Sequence, residues 1–416
     1  MKKTSFYFVL LITSGLFAQD HLSLTQCYQL VDKSYPLVKQ KELLETQNKI
    51  DSEIITNKSL PQLSIEAQAT YQSEVTEVPI PGSGIESLNK DQYRTTATLS
   101  QLIYNGGFID ASLEAKSIAL KVQQKQVEVN IYQLKKQINQ LYFSILLLQE
   151  KKYLLNAKKE QLLSRIKEVK SGIEYGTILP ASDKVLEAEL IKIKQQFTDI
   201  EFNKISLFES LSSLIGQDLE TTSVLENPEF NLNIENTISR PELELFQLKR
   251  DEIDANQQII SKQMVPKLSG FATGGYGNPG LNMLDNAFKS FYTVGVKLNW
   301  NVFDWNSNKK ERESLLINKD IINNEVEIFN LNINIELRQQ EFEMKKIESF
   351  ITSDYEIIEL RKQILQTAES QLKNGVITSS AYITQLTNLF EDETNLKTHN
   401  IQLLLVKANY NITKGL

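Results

Sequence analysis

The sequence predicts a mainly α protein with a small antiparallel β part, built from duplicated long helical hairpins and four membrane strands per chain. Three patterns carry that expectation: landmarks that recur at fixed offsets, heptad seams in proline-free stretches, and segments that alternate apolar and polar residues. Tyr35-Pro36 returns as Arg240-Pro241, Leu60-Pro61-Gln62-Leu63 as Val265-Pro266-Lys267-Leu268, and Tyr71 as Tyr276, each 205 positions on. Further along, Tyr93 matches Tyr292, Leu99 matches Leu298, Gly176 matches Gly375 and Gly216 matches Gly415, each 199 positions on. The change of offset falls between the two strands of a hairpin, where chain length is cheapest to alter. A unit this long exceeds any solenoid period, so a whole module is duplicated.

Residues 1–18 read as a signal peptide, with Lys2 and Lys3 ahead of an apolar stretch and Ala18 at a plausible cut. That stretch falls short of the ~20 apolar residues a spanning helix needs. Residues 19–216 form the first repeat: a helix, a β-hairpin over 61–104 and a long helical hairpin over 107–216. Residues 217–239 connect the repeats, with Phe230, Leu232 and Ile234 alternating. The second repeat, 240–416, has its β-hairpin over 266–303 and its helical hairpin over 306–414.

Val127, Ile131, Leu134, Ile138, Leu141, Ile145 and Leu148 are spaced alternately by four and three, and Leu155, Leu162, Ile166, Val169 and Ile173 resume the register. Such a heptad seam calls for packing against another helix. No proline interrupts residues 107–179. At 1.5 Å per residue the outgoing helix would be roughly 100 Å long, against ~30 Å for a compact domain, so it should project. The return stretch keeps a seam at Leu190, Ile193, Phe197, Ile200, Leu207, Leu211 and Leu214. In the second repeat Asn330, Gln340, Asp354 and Arg361 interrupt the equivalent seam. The remaining helical surface, rich in Gln, Asn, Lys and Glu, should face water.

The strands show period-two alternation, the signature of one apolar and one polar face. Leu63, Ile65, Ala67, Ala69 and Tyr71 alternate with Ser64, Glu66, Gln68 and Thr70; Tyr292, Val294, Val296, Leu298 and Trp300 alternate with Thr293, Gly295, Lys297 and Asn299. Leu63, Ile65, Ala67, Tyr71, Tyr292, Val294, Val296, Leu298 and Trp300 are the expected lipid-facing set. The lengths suit tilted membrane strands of about 9–11 residues, and Tyr71, Tyr93, Tyr104, Tyr276, Tyr292, Trp300 and Phe303 suit interfacial girdles. Four strands cannot close a barrel, which needs about eight, and lipid tolerates no open edge. Several chains must therefore share one barrel.

Composition narrows the remaining options. The net charge is −7, with acids and bases interspersed, and nothing in that pattern suggests nucleic-acid binding. Cys27 is the one cysteine, so no internal disulfide forms, and Leu24-Thr25-Gln26 before it lacks the small residues of a lipidation site. Gly275-Tyr276-Gly277-Asn278-Pro279-Gly280 fits GxGxxG, but a dinucleotide site needs that loop to open a helix, and a turn between strands explains the glycines better. His21 and His399 lie far apart, and metal-ligand spacings and nucleophile constellations are lacking. No catalytic residue, cofactor or metal is expected.

In their order, given twice, these features resemble the TolC-like outer-membrane efflux protein family along nearly all of the mature chain. The matching stretches are Leu22-Ser23-Leu24-Thr25-Gln26, Tyr35-Pro36-Leu37 and Arg240-Pro241-Glu242 opening helices, the Leu-Pro-Gln-Leu and Val-Pro-Lys-Leu strand entries, and Tyr104-Asn105-Gly106-Gly107 leaving the hairpin. Tyr175-Gly176-Thr177 and Asn374-Gly375-Val376 stand at the helical turns. The resemblance implies a homotrimer whose 12-stranded β-barrel in outer-membrane lipid joins an α-helical barrel across the periplasm, with residues 217–239 as an equatorial connector. It implies a passive exit duct of a tripartite efflux or type I secretion system, driven by an inner-membrane RND or ABC-type pump through a periplasmic adaptor (a membrane fusion protein). The adaptor would dock on the tip turns Tyr175, Gly176, Thr177, Ile178, Asn374, Gly375, Val376 and Ile377. The periplasmic entrance would lie near Asp183, Ala381 and Thr384, where the acidic ring found in some members is missing from the second repeat. The competing expectation is a periplasmic coiled-coil adaptor or scaffold with its strands in a soluble domain.

Overall fold

The computed structural model describes residues 21–77, 87–230 and 238–416; the expected signal peptide and Leu232 and Ile234 of the expected connector lie outside them. In chain order the elements are β1 (His21–Leu22), α1 (Leu24–Ser34), α2 (Leu37–Asn57), β2 (Gln62–Tyr71), β3 (Asp91–Tyr104), α3 (Phe108–Glu174) and α4 (Ser182–Ile215). There follow β4 (Val224–Leu225), α5 (Pro241–Gln263), β5 (Lys267–Asn278), β6 (Lys289–Asn299), α6 (Ser307–Lys373) and α7 (Ser379–Lys414). The two long helices are both 67 residues. The duplication is visible in this order, α2 to α4 being answered by α5 to α7; α1 has no counterpart among the described residues.

Two compact units cut across the repeats. Of the described residues, one comprises 39–77, 87–130 and 240–332, the other 21–38, 131–230, 238–239 and 333–416. The first holds a four-stranded sheet in the order β2-β3-β5-β6, antiparallel throughout. Each repeat supplies one hairpin, and β3 pairs with β5 to join them. The bend out of β3 needs left-handed backbone: Gly106 has φ +66°, and a Cβ there would meet a Val265 methyl at 2.4 Å. The second repeat turns the same corner without glycine, at Trp305 (φ 55°) and Asn306 (φ 59°).

In the other unit four helices surround one core. Leu155, Leu162, Ile166 and Val169 of α3 meet Leu186, Ile193 and Ile200 of α4, Ile358, Leu365 and Leu372 of α6, and Tyr382, Leu386 and Leu389 of α7. Heptad seams from both repeats thus share a single interior. Three of the four polar interruptions of the second seam, all but Asn330, are cross-helix links. Asp354 meets His399 Nδ1 at 2.5 Å, the Arg361 Nε–H donates to Asp392 at 2.9 Å, and the Gln340 amide donates to Thr413 Oγ1 at 3.1 Å. Lys158 enters the core itself and donates to Glu189 at 2.9 Å, its ammonium 4.9 Å from the Phe390 ring centre.

Around residues 138–146 α3 is buried on more than its seam face: Ile138, Asn139, Tyr142, Phe143, Ile145 and Leu146 are all covered. There β1 and β4 form a short parallel pair, and the Tyr142 hydroxyl lies 2.8 Å from the carbonyl oxygens of both Leu22 and Glu226. Gln149 brackets Leu225, accepting from its N–H at 3.2 Å. Cys27 is fully buried beside this pair, and burial pushes its thiol up to about 12, so it stays an unreactive thiol.

Candidate functional site

Strand register decides what each face of the sheet presents. Leu63 lies opposite Leu99, Leu99 opposite Ala272 and Ala272 opposite Val294; Ile65, Ala97, Gly274 and Tyr292 make the next row. In these two rows one face is apolar across all four strands, and the rest of that face is mainly apolar, with Thr95, Gln101 and Ser290 among its residues. No described residue covers it: Val294 is 72% and Val296 71% exposed, and Leu63, Ile65, Ala67, Tyr71, Tyr292 and Leu298 are exposed as well. Trp300 stands one residue beyond β6, its indole N–H donating to the Met264 carbonyl at 3.0 Å. Aromatic rings mark both ends of this face. Tyr93, Phe288 and Tyr276 stack at the hairpin end, with centroids 6.4 and 5.6 Å apart, while Phe303 and Trp305 meet edge to face near the helices.

The opposite face carries Ser64, Glu66, Gln68, Arg94, Thr96, Thr98, Thr273, Thr293 and Lys297. Thr98 and Thr273 hydroxyls meet across it at 2.9 Å. Two phenylalanines share this polar side, each lying over a glycine of the facing strand. A Cβ on Gly295 would sit 3.0 Å from the Phe271 ring, and one on Gly275 would sit 2.4 Å from the Phe291 ring. The Arg94 guanidinium lies 5.6 Å from the Phe291 ring centre. The GxGxxG glycines belong to this arrangement: Gly275 and Gly277 lie inside β5 and open no helix. Among the described residues no group of three His, Cys, Asp or Glu side chains is placed to hold a metal ion.

At the helical turns Gly176 has φ +70° and Gly375 φ +66°, left-handed values that end α3 and α6. The site residues named from sequence separate here. Tyr175 and Val376 are 79% and 70% exposed, whereas Ile178 and Ile377 pack against the four-helix core. Ile178 folds back onto Gly172, where a Cβ would meet its methyl at 2.6 Å. Thr177 donates to the Gly172 carbonyl at 3.1 Å, and Asn374 donates to Ser370 at 2.9 Å. Leu179, 68% exposed, joins Tyr175 and Val376 as an uncovered apolar side chain; its place in a proline-flanked turn gave no periodic signal.

Asp183 sits in the first turn of α4, its side chain 15% exposed and 3.3 Å from Lys184. The helix begins at Ser182, two residues after Pro180. The α4 N-cap, Ala181, offers no side-chain hydrogen bond, whereas Thr378 caps α7 by accepting from the Ala381 N–H at 3.2 Å. The acid therefore stands where the cap is missing. Ala381 is exposed, and the Thr384 hydroxyl donates back to Ser380 at 3.1 Å.

No family model matches the sequence, and no curated protein matches it either. Solved structures do. The outer membrane protein VceC of Vibrio cholerae aligns over 94% of this chain and 96% of its own, with a TM-score of 0.65 at 13% identity. The fold is TolC-like. The CmeC outer membrane channel of Campylobacter jejuni shares it over 94% of this chain and 86% of its own, TM-score 0.62 at 16% identity. So does the open state of the MtrE outer membrane channel of Neisseria gonorrhoeae, over 94% and 88%, TM-score 0.61 at 13% identity. At these identities the likeness is one of backbone, so the TolC-like fold is common while the side chains of sheet and tips are this chain's own.

Proposed function

We propose that this protein is the outer-membrane exit duct of an export system, a homotrimer reaching into the periplasm. The observation that carries the reading is the sheet: apolar on one face, polar on the other, bare on both, and ending in two edge strands, β2 and β6. A soluble sheet of this kind would bury its apolar face. In lipid the apolar face is solvated, but the unpaired backbone of β2 and β6 is not, so each must pair with another copy. Three copies would close twelve strands around a water-filled lumen lined by the polar face.

The helices support a shared assembly. No residue of α2 is buried, and Leu43, Ile50 and Ile54 stand exposed at heptad spacing. On α6, whose surface was expected to face water, Ile317, Ile321, Ile328, Leu331, Ile335 and Phe342 form a second, exposed stripe. Such stripes are what neighbouring protomers would cover. Tyr175, Leu179 and Val376 then offer apolar contacts at the tips for a periplasmic adaptor that couples the duct to an inner-membrane pump of the RND or ABC type. With passage through an aqueous lumen, the chain itself needs no catalytic group or cofactor.

Outer-membrane fractionation and heat-modifiable migration test this reading, with crosslinking in lipid to count the chains. An outer-membrane trimer that changes mobility on boiling is the expected result. A stable monomer in the soluble periplasmic fraction would replace the reading with that of an adaptor or scaffold.

A further inference from the structure

The polar face of the sheet has a charge opposite to that of the whole chain. Its register rows contain Arg94, Lys267, Lys289 and Lys297 but a single acid, Glu66, although the chain as a whole is −7. Lys289 is offset by Asp285 at 3.1 Å. Lys267 lies 4.9 Å from the Phe108 ring centre. For Arg94 and Lys297, both exposed, no carboxylate lies in ion-pairing range among the described residues. Arg94 also has a defined seat: Gly275 lets the Phe291 ring lie on the strand, and the guanidinium stacks above it. Arg94 is in the hairpin half of the sheet, in the row Gln68, Arg94, Gly277 and Lys289, and Lys297 near the helical end, opposite Ser269.

We infer that the barrel of this duct is selective for anions and that its cargo is anionic. The inference rests on the duct reading, since it requires the polar face to line a lumen. Given that, three copies set a ring of Arg94 near one end of the barrel and a ring of Lys297 near the other. Charged rings in a narrow pore with low-dielectric walls act on each passing ion, and their field concentrates counter-ions inside. Of the residues expected near the helical entrance, Ala381 and Thr384 are uncharged, and Asp183 is largely covered and beside Lys184. A solute bearing carboxylate, phosphate or sulfonate groups would be drawn along such a lumen, whereas a cationic one would meet two barriers.

The test is the reversal potential of the purified full-length protein in planar bilayers under a potassium chloride gradient. The gradient should run at low ionic strength, where the Debye length, about 30 Å at 0.01 M, lets the rings act across the pore. The expected wild-type potential has the sign of chloride preference, and Arg94→Gln and Lys297→Gln should each shift it towards potassium, the double variant most. Because Lys297 is exposed and has no ion pair or ring contact among the described residues, Lys297→Gln keeps the test valid even if loss of Arg94 from Phe291 disturbs assembly. Potassium preference in the wild type, or chloride preference unchanged in both variants, overturns the inference while leaving the duct reading in place. Membrane-inserted protein with no conductance would remove both.

Discussion

Lys158 illustrates how an interior charge is tolerated at the scale of one residue. Its ammonium is all but excluded from solvent and is held by Glu189, with Thr387 Oγ1 at 3.4 Å and the Phe390 ring as further partners. Removing one member of such a pair costs about 3–5 kcal/mol, because the other charge stays buried. Lys192, 3.5 Å from Glu189, will soften the loss. Lys158→Met should therefore lower the melting temperature of the helical part sharply, and Lys158→Met with Glu189→Leu should recover most of it. Thermal unfolding followed by circular dichroism in detergent reads both; a double variant no better than the single would show that the pair contributes more than mutual neutralisation. Asp183 is a gentler case. A negative charge in a first helical turn contributes ~0.3–1 kcal/mol, and α4 has no side-chain cap to share that role. Asp183→Asn should lower the melting temperature slightly and leave bilayer ion selectivity unchanged. A clear change in selectivity would instead give Asp183 a part in the entrance.

Among the elements, β6 and the two tips make the sharpest predictions. Val294 and Val296 share the bare apolar face, while Thr293 between them belongs to the polar one. An arginine on a lipid face costs about 2–4 kcal/mol near the membrane midplane. Val294→Arg with Val296→Arg should block assembly in the outer membrane, and Thr293→Arg should be milder, as judged by fractionation and heat-modifiable migration. Equal tolerance of both would mean that the sheet does not meet lipid by the face its register assigns. At the tips, the core-facing Ile178 and Ile377 are poor places to test docking, since a charge there would disturb packing first. Val376, exposed and outside the core, separates the two effects. Val376→Arg should abolish export while the trimer still forms, and normal export by this variant would move docking away from the turn.

At the scale of the whole molecule, much apolar surface stands uncovered by the described residues. Since α2 buries no residue, its Leu43, Ile50 and Ile54 contribute little to the isolated chain. Replacing all three by Gln should weaken the trimer, seen as loss of crosslinked species in detergent, yet leave the helical circular dichroism of the chain intact. Loss of helicity together with the trimer would show that α2 folds only in the assembly. An unchanged trimer would assign the stripe some other cover.

What was legible from sequence was local and periodic. Alternation of Leu63 to Tyr71 and of Tyr292 to Leu298 assigns strands and faces, because successive Cβ atoms point to opposite sides. The heptads at 127–173 announce long paired helices for the same kind of reason, and Gly176 and Gly375 announce left-handed turns. The long-range pairings were not legible, because nothing in a local window records which distant segment arrives. The β1–β4 pair, the meeting of Asp354 with His399 and the Lys158–Glu189 link each join residues far apart or on different helices. The same holds for the sheet. That Phe271 and Phe291 fall on polar parity could be counted along the chain, but only the register of β5 with β6 lays them on Gly295 and Gly275. Only the order β2-β3-β5-β6 brings Arg94 and Lys297 to one face. Periodicity determined which side each residue takes within its own strand; tertiary pairing decided which strands share that side, and so where the charge of the polar face accumulates.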